Sequence, residues 1–148
     1  MIRVQREGFD IGREIAALTV GNPRIGGIAS FVGLVRDLGG LRSMTLEHYP
    51  GMTERQLARI DAEAHRRWPL EASLIVHRYG RLEPGEPIVL TITASAHRQT
   101  AFDSCNFLMD WLKTEAPFWK REEAASGEHW VAAHADDDAA RDRWQETG

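Results

Sequence analysis

Hydrophobic and polar positions recur with two different periods along this chain, and the switches between them mark its elements. Ile2 and Val4 alternate with polar neighbours, which predicts a short first strand. Asp10 stands just before an apolar stripe at helical spacing, Ile11, Ile15 and Leu18, where its carboxylate can cap a helix. The turn-rich segment 21–27 leads into Ile28-Ala-Ser-Phe-Val-Gly-Leu-Val35, an apolar run of buried-strand length. Gly39-Gly40 interrupts the chain, and Met44, Leu46 and His48 then alternate as the next strand. Pro50-Gly51 turns the chain into a second helix, with Thr53 and Gln56 spaced as a capping box and Leu57, Ile60 and Ala64 on one face.

Pro69 ends that helix. Leu74, Val76 and Arg78 alternate with Ser73, Ile75 and His77 in a further strand. The turn Glu83-Pro-Gly-Glu-Pro87 sends the chain into Ile88-Val-Leu-Thr-Ile-Thr-Ala94, whose β-branched content makes it the clearest strand. After Ser95-Ala-His-Arg98 a third helix is predicted to about Thr114, with Phe102, Cys105, Leu108, Met109 and Leu112 as its apolar stripe, and Pro117 stops it. A last strand is expected over His129 to Ala133, and 135–148 reads as a polar helix or a frayed tail. No repeat, low-complexity segment or linker divides 1–148, so one domain is expected. Helices and strands mix without strict βαβ alternation, which predicts an α+β fold.

Composition narrows the function. The formal charge of −4, from 18 basic and 22 acidic residues, offers no global field for nucleic acid. Cys105 is the only cysteine, so no internal disulfide and no multi-cysteine metal site can form. His65, His77 and His129 lack metal-ligand spacing, and no resident metal or cofactor is expected. The first residues lack the apolar core of a signal peptide, and the longest nearly apolar stretch, Ile25 to Val35, is shorter than the ~20 residues of a membrane span. The expectation is a soluble, cytoplasmic protein.

Of the 18 basic residues only Lys113 and Lys120 are lysines. A guanidinium stays protonated and binds anions, whereas an amine can act as acid, base or attacking group. Both lysines fall in one segment around Pro117, so this segment is the candidate chemical part of the chain. Arg36 follows a predicted buried strand, His97 and Arg98 stand where the clearest strand hands over to a helix, and Arg121 follows Lys120. Gathered in one place, these cations suit an anionic substrate such as a phosphate ester. Each alone could equally be a solvated surface group. Cys105 lies on a helical apolar stripe and reads as core, not as a nucleophile. Trp119, between the lysines, could wall a heterocycle pocket.

Four segments carry a resemblance. Phe31-Val-Gly-Leu-Val-Arg36, Leu46-Glu-His-Tyr-Pro-Gly-Met52, Ser95-Ala-His-Arg98 and the block Leu112-Lys-Thr to Ala116-Pro-Phe-Trp-Lys-Arg-Glu122 resemble the large, catalytic subunit of molybdopterin synthase, in that family's order over roughly residues 28–132. The resemblance implies an α/β hammerhead-type fold and a homodimer, each chain binding a small ubiquitin-like subunit whose C-terminal Gly-Gly carries a thiocarboxylate. It implies cyclic pyranopterin monophosphate as substrate, and delivery of two sulfurs to form the dithiolene of molybdopterin in molybdenum cofactor biosynthesis. By matching position it implies Lys113 and Lys120 as catalytic residues. Leu34, Val35, Arg36, His97, Arg98, Arg121 and Glu122 would line the substrate pocket with them. Leu34 stands where relatives often have lysine and Glu115 where arginine is common, which makes the rim less basic; His134 stands where some relatives place a basic residue reaching the neighbouring subunit. Two other readings use the same residues: a non-catalytic phosphate- or nucleotide-binding module, for which arginine would suffice, and a protein-docking scaffold.

Overall fold

Two four-stranded sheets and three helices are described in the computed structural model, which covers residues 1–37, 39–124, 127–131 and 144, with backbone only at 41, 122–124 and 127–131. The strands are β1 (Ile2–Gln5), β2 (Gly27–Leu34), β3 (Leu41–His48), β4 (Leu70–Arg78), β5 (Gly80–Leu82), β6 (Pro87–Ser95), β7 (Phe118–Ala124) and β8 (Gly127–Val131). The helices are α1 (Ile11–Thr19), α2 (Met52–Arg67) and α3 (Arg98–Glu115). One sheet runs β1-β4-β6-β2, with β1 parallel to β4 and the other pairs antiparallel. The other, β5-β3-β7-β8, is antiparallel throughout. The α+β expectation holds.

Alternation along β4 and β6 explains how the first sheet is covered. Leu74, Val76, Leu90 and Ile92 face α1 through Ile11, Ile15 and Leu18. Ile75 and Val89 face the opposite way, into a core with Leu57, Ile60 and Ala64 of α2 and Phe107, Leu108 and Leu112 of α3. Burying one such large apolar side chain contributes roughly 1.5–3 kcal/mol. Asp10 caps α1 as its position predicts, its carboxylate accepting from the Arg13 N–H at 3.0 Å. The chain leaves the first sheet for the second at Tyr79, and Gly80 makes the corner with φ +93°, a left-handed conformation that favours glycine.

Several expectations need correction. Glu54, not Gln56, reaches back at the start of α2, accepting from the Gly51 N–H at 2.5 Å. Gly51 adopts φ +85° and starts the helix earlier than the Thr53 pattern implies; Thr53 lies inside it, buried, its hydroxyl donating to the Tyr49 carbonyl at 2.9 Å. Phe102 is 62% exposed instead of core, and Ala101, Ser104 and Phe107 take the buried face of α3. The chain does not merely stop at Pro117: β7 begins at Phe118 and pairs along β3. β8 ends at Val131, and of the expected last strand Ala132 and Ala133 lie outside the described residues, as does the tail apart from Trp144. Trp144 packs against Trp68 and Phe107 and donates from Nε1 to Asp110 at 2.5 Å.

Candidate active site

The two lysines come from different layers. Lys113 is on the last turn of α3, a helix packed on β6 and β2 of the first sheet. Lys120 is on β7, in the second sheet, opposite Leu46. Side chains alternate across a strand, so Lys120 shares the inward face with Phe118 while Trp119 and Arg121 point the other way. Phe118 packs in a small core with Val35, Met44, Leu46 and Leu82. Trp119 meets Tyr49 on the outward side, with ring centroids 4.7 Å apart.

Both lysines act electrostatically on a group that sequence reading passed over. His77 of β4 is 7% exposed, and its ring stacks on Phe118 at 3.8 Å and 17°. Its Nδ1 lies 2.8 Å from the Arg78 carbonyl, an acceptor, so Nδ1 carries the proton and Nε2 is left with its lone pair. Burial pushes its pKa down to about 4, and the charges of Lys113, His48 and Lys120 add to the effect. Both lysine head groups are thus within electrostatic reach of one neutral imidazole. His48 completes the aromatic row: its ring meets Tyr79 edge-on at 4.5 Å, and its Nδ1 lies 2.9 Å from the Thr53 hydroxyl.

From Lys113 a cleft of about 430 Å³ runs between α3 and β2, lined by Ala29, Phe31, Phe102, Asn106 and Met109 among others. The thiol of Cys105 also borders it, but the residue is 7% exposed and burial pushes its pKa up, so little thiolate forms. Its Sγ is 3.4 Å from the Thr91 hydroxyl.

The remaining candidates divide between two ends of the fold. At the lysine end, a bulge between Gly33 and Leu34 turns the close of β2 so that Val35 is buried and Arg36 is exposed. Val35 donates its N–H to the Glu86 carbonyl at 2.9 Å and accepts from the Gly85 N–H at 2.7 Å, so its backbone N–H is engaged within the fold. Leu34 is 55% exposed. Of Glu122 only the backbone is described, paired with Met44, and His134 lies outside the described residues. At the opposite end, His97 and Arg98 are exposed at the start of α3, beside Gly27, where β2 begins. Fifteen positions of helix separate Arg98 from Lys113, about 22 Å of rise. Within one chain Lys113 and Lys120 share the neighbourhood of His77, Arg36 follows Val35, which packs with Phe118, and His97 and Arg98 stand at the far end of α3 from Lys113.

Comparison with known proteins identifies the family. The family described as MoaE protein matches residues 4–115. The chain belongs to the MoaE family. It is 57% identical to the molybdopterin synthase catalytic subunit of Pseudomonas aeruginosa, over 98% of this chain and 99% of that one. Among solved structures, a molybdopterin biosynthesis MoaE protein from Burkholderia ambifaria superposes with a TM-score of 0.85 at 56% identity, covering 97% of each chain. The molybdopterin synthase of Staphylococcus aureus gives a TM-score of 0.80 at 28% identity, over 87% of this chain and 95% of that one. Among the described residues no helix is long and apolar enough to cross a membrane.

Proposed function

We propose that this chain is the catalytic subunit of a cytoplasmic molybdopterin synthase, a sulfurtransferase. It takes sulfur from the C-terminal thiocarboxylate of a small ubiquitin-like subunit and adds it to cyclic pyranopterin monophosphate, two sulfurs yielding the dithiolene of molybdopterin. The observation that carries this reading is that the chain's two lysines, one on α3 and one on β7, both lie within electrostatic reach of one buried, neutral imidazole, with Lys113 also lining a cleft. A binder of phosphate has no need of titratable amines, and arginine is this chain's usual cation. Cys105 is buried and its thiol stays protonated, so the sulfur arrives on the partner.

In this reading Lys113 and Lys120 move protons as the cyclic phosphate opens and sulfur adds, with Arg36 holding an anionic group. His97 and Arg98 enter the same pocket from a second copy. A two-fold axis crossing the open edge of β2 sets β2 and α3 antiparallel to their copies, so the start of one α3 meets the end of the other. Ile28, Phe31, Leu34 and Phe102, each at least 42% exposed along that edge, are the apolar surface such a homodimer covers.

The test is to co-express Lys113→Ala with Arg98→Ala, each inactive alone. In a mixed dimer one pocket carries both substitutions and the other neither, so about a quarter of wild-type product formation should return. Folded mixed dimers with no recovered activity would contradict the shared pocket. A wild-type chain that yields no dithiolene would contradict the function itself.

A further inference from the structure

The spacing between Lys113 and Lys120 is a spacing between two sheets, because α3 packs on the first and β7 belongs to the second. Among the described residues no backbone ladder joins these sheets. Besides the chain connections through Tyr79 and through Ala116 and Pro117, side-chain packing sets where Lys120 stands. β4 is a firm reference, being paired on both sides, to β1 and to β6. His77 projects from β4 and stacks on Phe118 at 3.8 Å, and Phe118 precedes Lys120 by two residues on the same face of β7. The ring is fixed in its plane by Nδ1 donating to the Arg78 carbonyl at 2.8 Å. Phe118 is held on its other flank by His48, 5.8 Å between centroids, itself tied to Thr53.

We propose that His77 is a positioning residue for the sulfur-transfer reaction: through its stack on Phe118 it pins β7 to β4 and so sets Lys120 at its working distance from Lys113. The inference rests on the reading of the two lysines as the reacting pair. What matters in it is the flat face of the ring. An aromatic ring without nitrogens preserves that face, whereas a small side chain leaves Phe118 without support and lets β7 shift. Displacement of a catalytic group by about an ångström costs on the order of 10²-fold in rate, while substrate held by other residues binds as before.

The experiment compares His77→Ala, His77→Phe and Lys120→Ala with wild type in steady-state formation of dithiolene, using the thiocarboxylated small subunit and cyclic pyranopterin monophosphate. His77→Ala should lose roughly 10- to 100-fold in kcat with KM nearly unchanged, and His77→Phe should restore most of kcat. Should His77→Ala fail to fold, Phe118→Leu, which keeps bulk but no ring face, takes its place with the same expected loss. If folded His77→Ala or Phe118→Leu turns over like wild type, or if His77→Phe is as slow as His77→Ala, the positioning role is wrong while a dead Lys120→Ala still supports the lysine pair. A fully active Lys120→Ala overturns that reading and this inference with it.

Discussion

Leu46 and Lys120 face each other across the β3–β7 ladder, which sets the lysine stem beside a side chain only 2% exposed. Cross-strand neighbours of this kind pack against one another. The apolar stem is held and the ammonium head alone remains adjustable. Lys113 offers the complementary arrangement, an exposed group on the last turn of a helix whose opposite face is core.

Replacing either lysine by arginine keeps the charge and removes the titratable amine. Lys113→Arg and Lys120→Arg should therefore bind substrate and partner normally and lose about 10²–10⁴-fold in turnover, the usual worth of positioned proton transfer. Rates within a few-fold of wild type would assign both residues to binding alone.

Cys105→Ala should still make product. Its thiol is buried beside Thr91 in surroundings that disfavour the thiolate, so it is a poor sulfur acceptor. The loss of one sulfur atom from a packed site should cost about 1 kcal/mol of stability. Thermal unfolding measures the cost. A folded variant without product would route the sulfur through this chain.

His77 predicts an acid-sensitive component of stability. Its folded pKa is about 4 against an ordinary 6.5, chiefly through burial. Above 6.5 the ring is neutral in both states. As pH falls from 6.5 towards 4, the unfolded chain takes up a proton that the folded chain refuses, so stability drops by up to about 3 kcal/mol in total. Below 4 this component changes no further. Denaturant unfolding of wild type and His77→Phe across that range should give a wild-type curve that falls more steeply; equal slopes would mean the folded imidazole takes its proton normally.

Gly26→Ala should damage the other end of the site. A Cβ there would collide with the carbonyl oxygen of Ala96, and the Gly26 N–H already donates to the Ser95 carbonyl at 2.9 Å. The strand-to-helix corner carrying His97 and Arg98 must shift, at a cost of roughly 1–3 kcal/mol. Weakened binding of the pterin substrate should accompany the lower melting temperature; a variant of unchanged stability and affinity would contradict the close approach.

Periodicity revealed α1 and α2 because each packs one face against a neighbour, whereas β6, buried on both faces, was legible by its β-branched content. β5 is three residues long, too short to show any period. β7 was hidden because Pro117 reads as a stop and because its outward positions, Trp119 and Arg121, are as bulky as its inward ones. The candidate cations were legible by type, but the sequence-level picture of one cluster overlooked the rise of α3, which keeps Arg98 far from Lys113 along the helix. His77 had no signal at all, since its role depends on Phe118, a strand away in the other sheet. The cap of α2 was misread because the positive φ of Gly51 is a backbone fact that side-chain spacing does not announce.

The most direct measurement of the central claim is a single-turnover reaction. The purified chain is mixed with a small subunit charged with thiocarboxylate, and cyclic pyranopterin monophosphate is supplied as the only acceptor. The account predicts that the thiocarboxylate is consumed and the dithiolene appears with wild type and with Cys105→Ala, but not with Lys113→Ala or Lys120→Ala. Dithiolene formed at the wild-type rate by both lysine variants, or thiocarboxylate left intact by the wild-type chain, would contradict it.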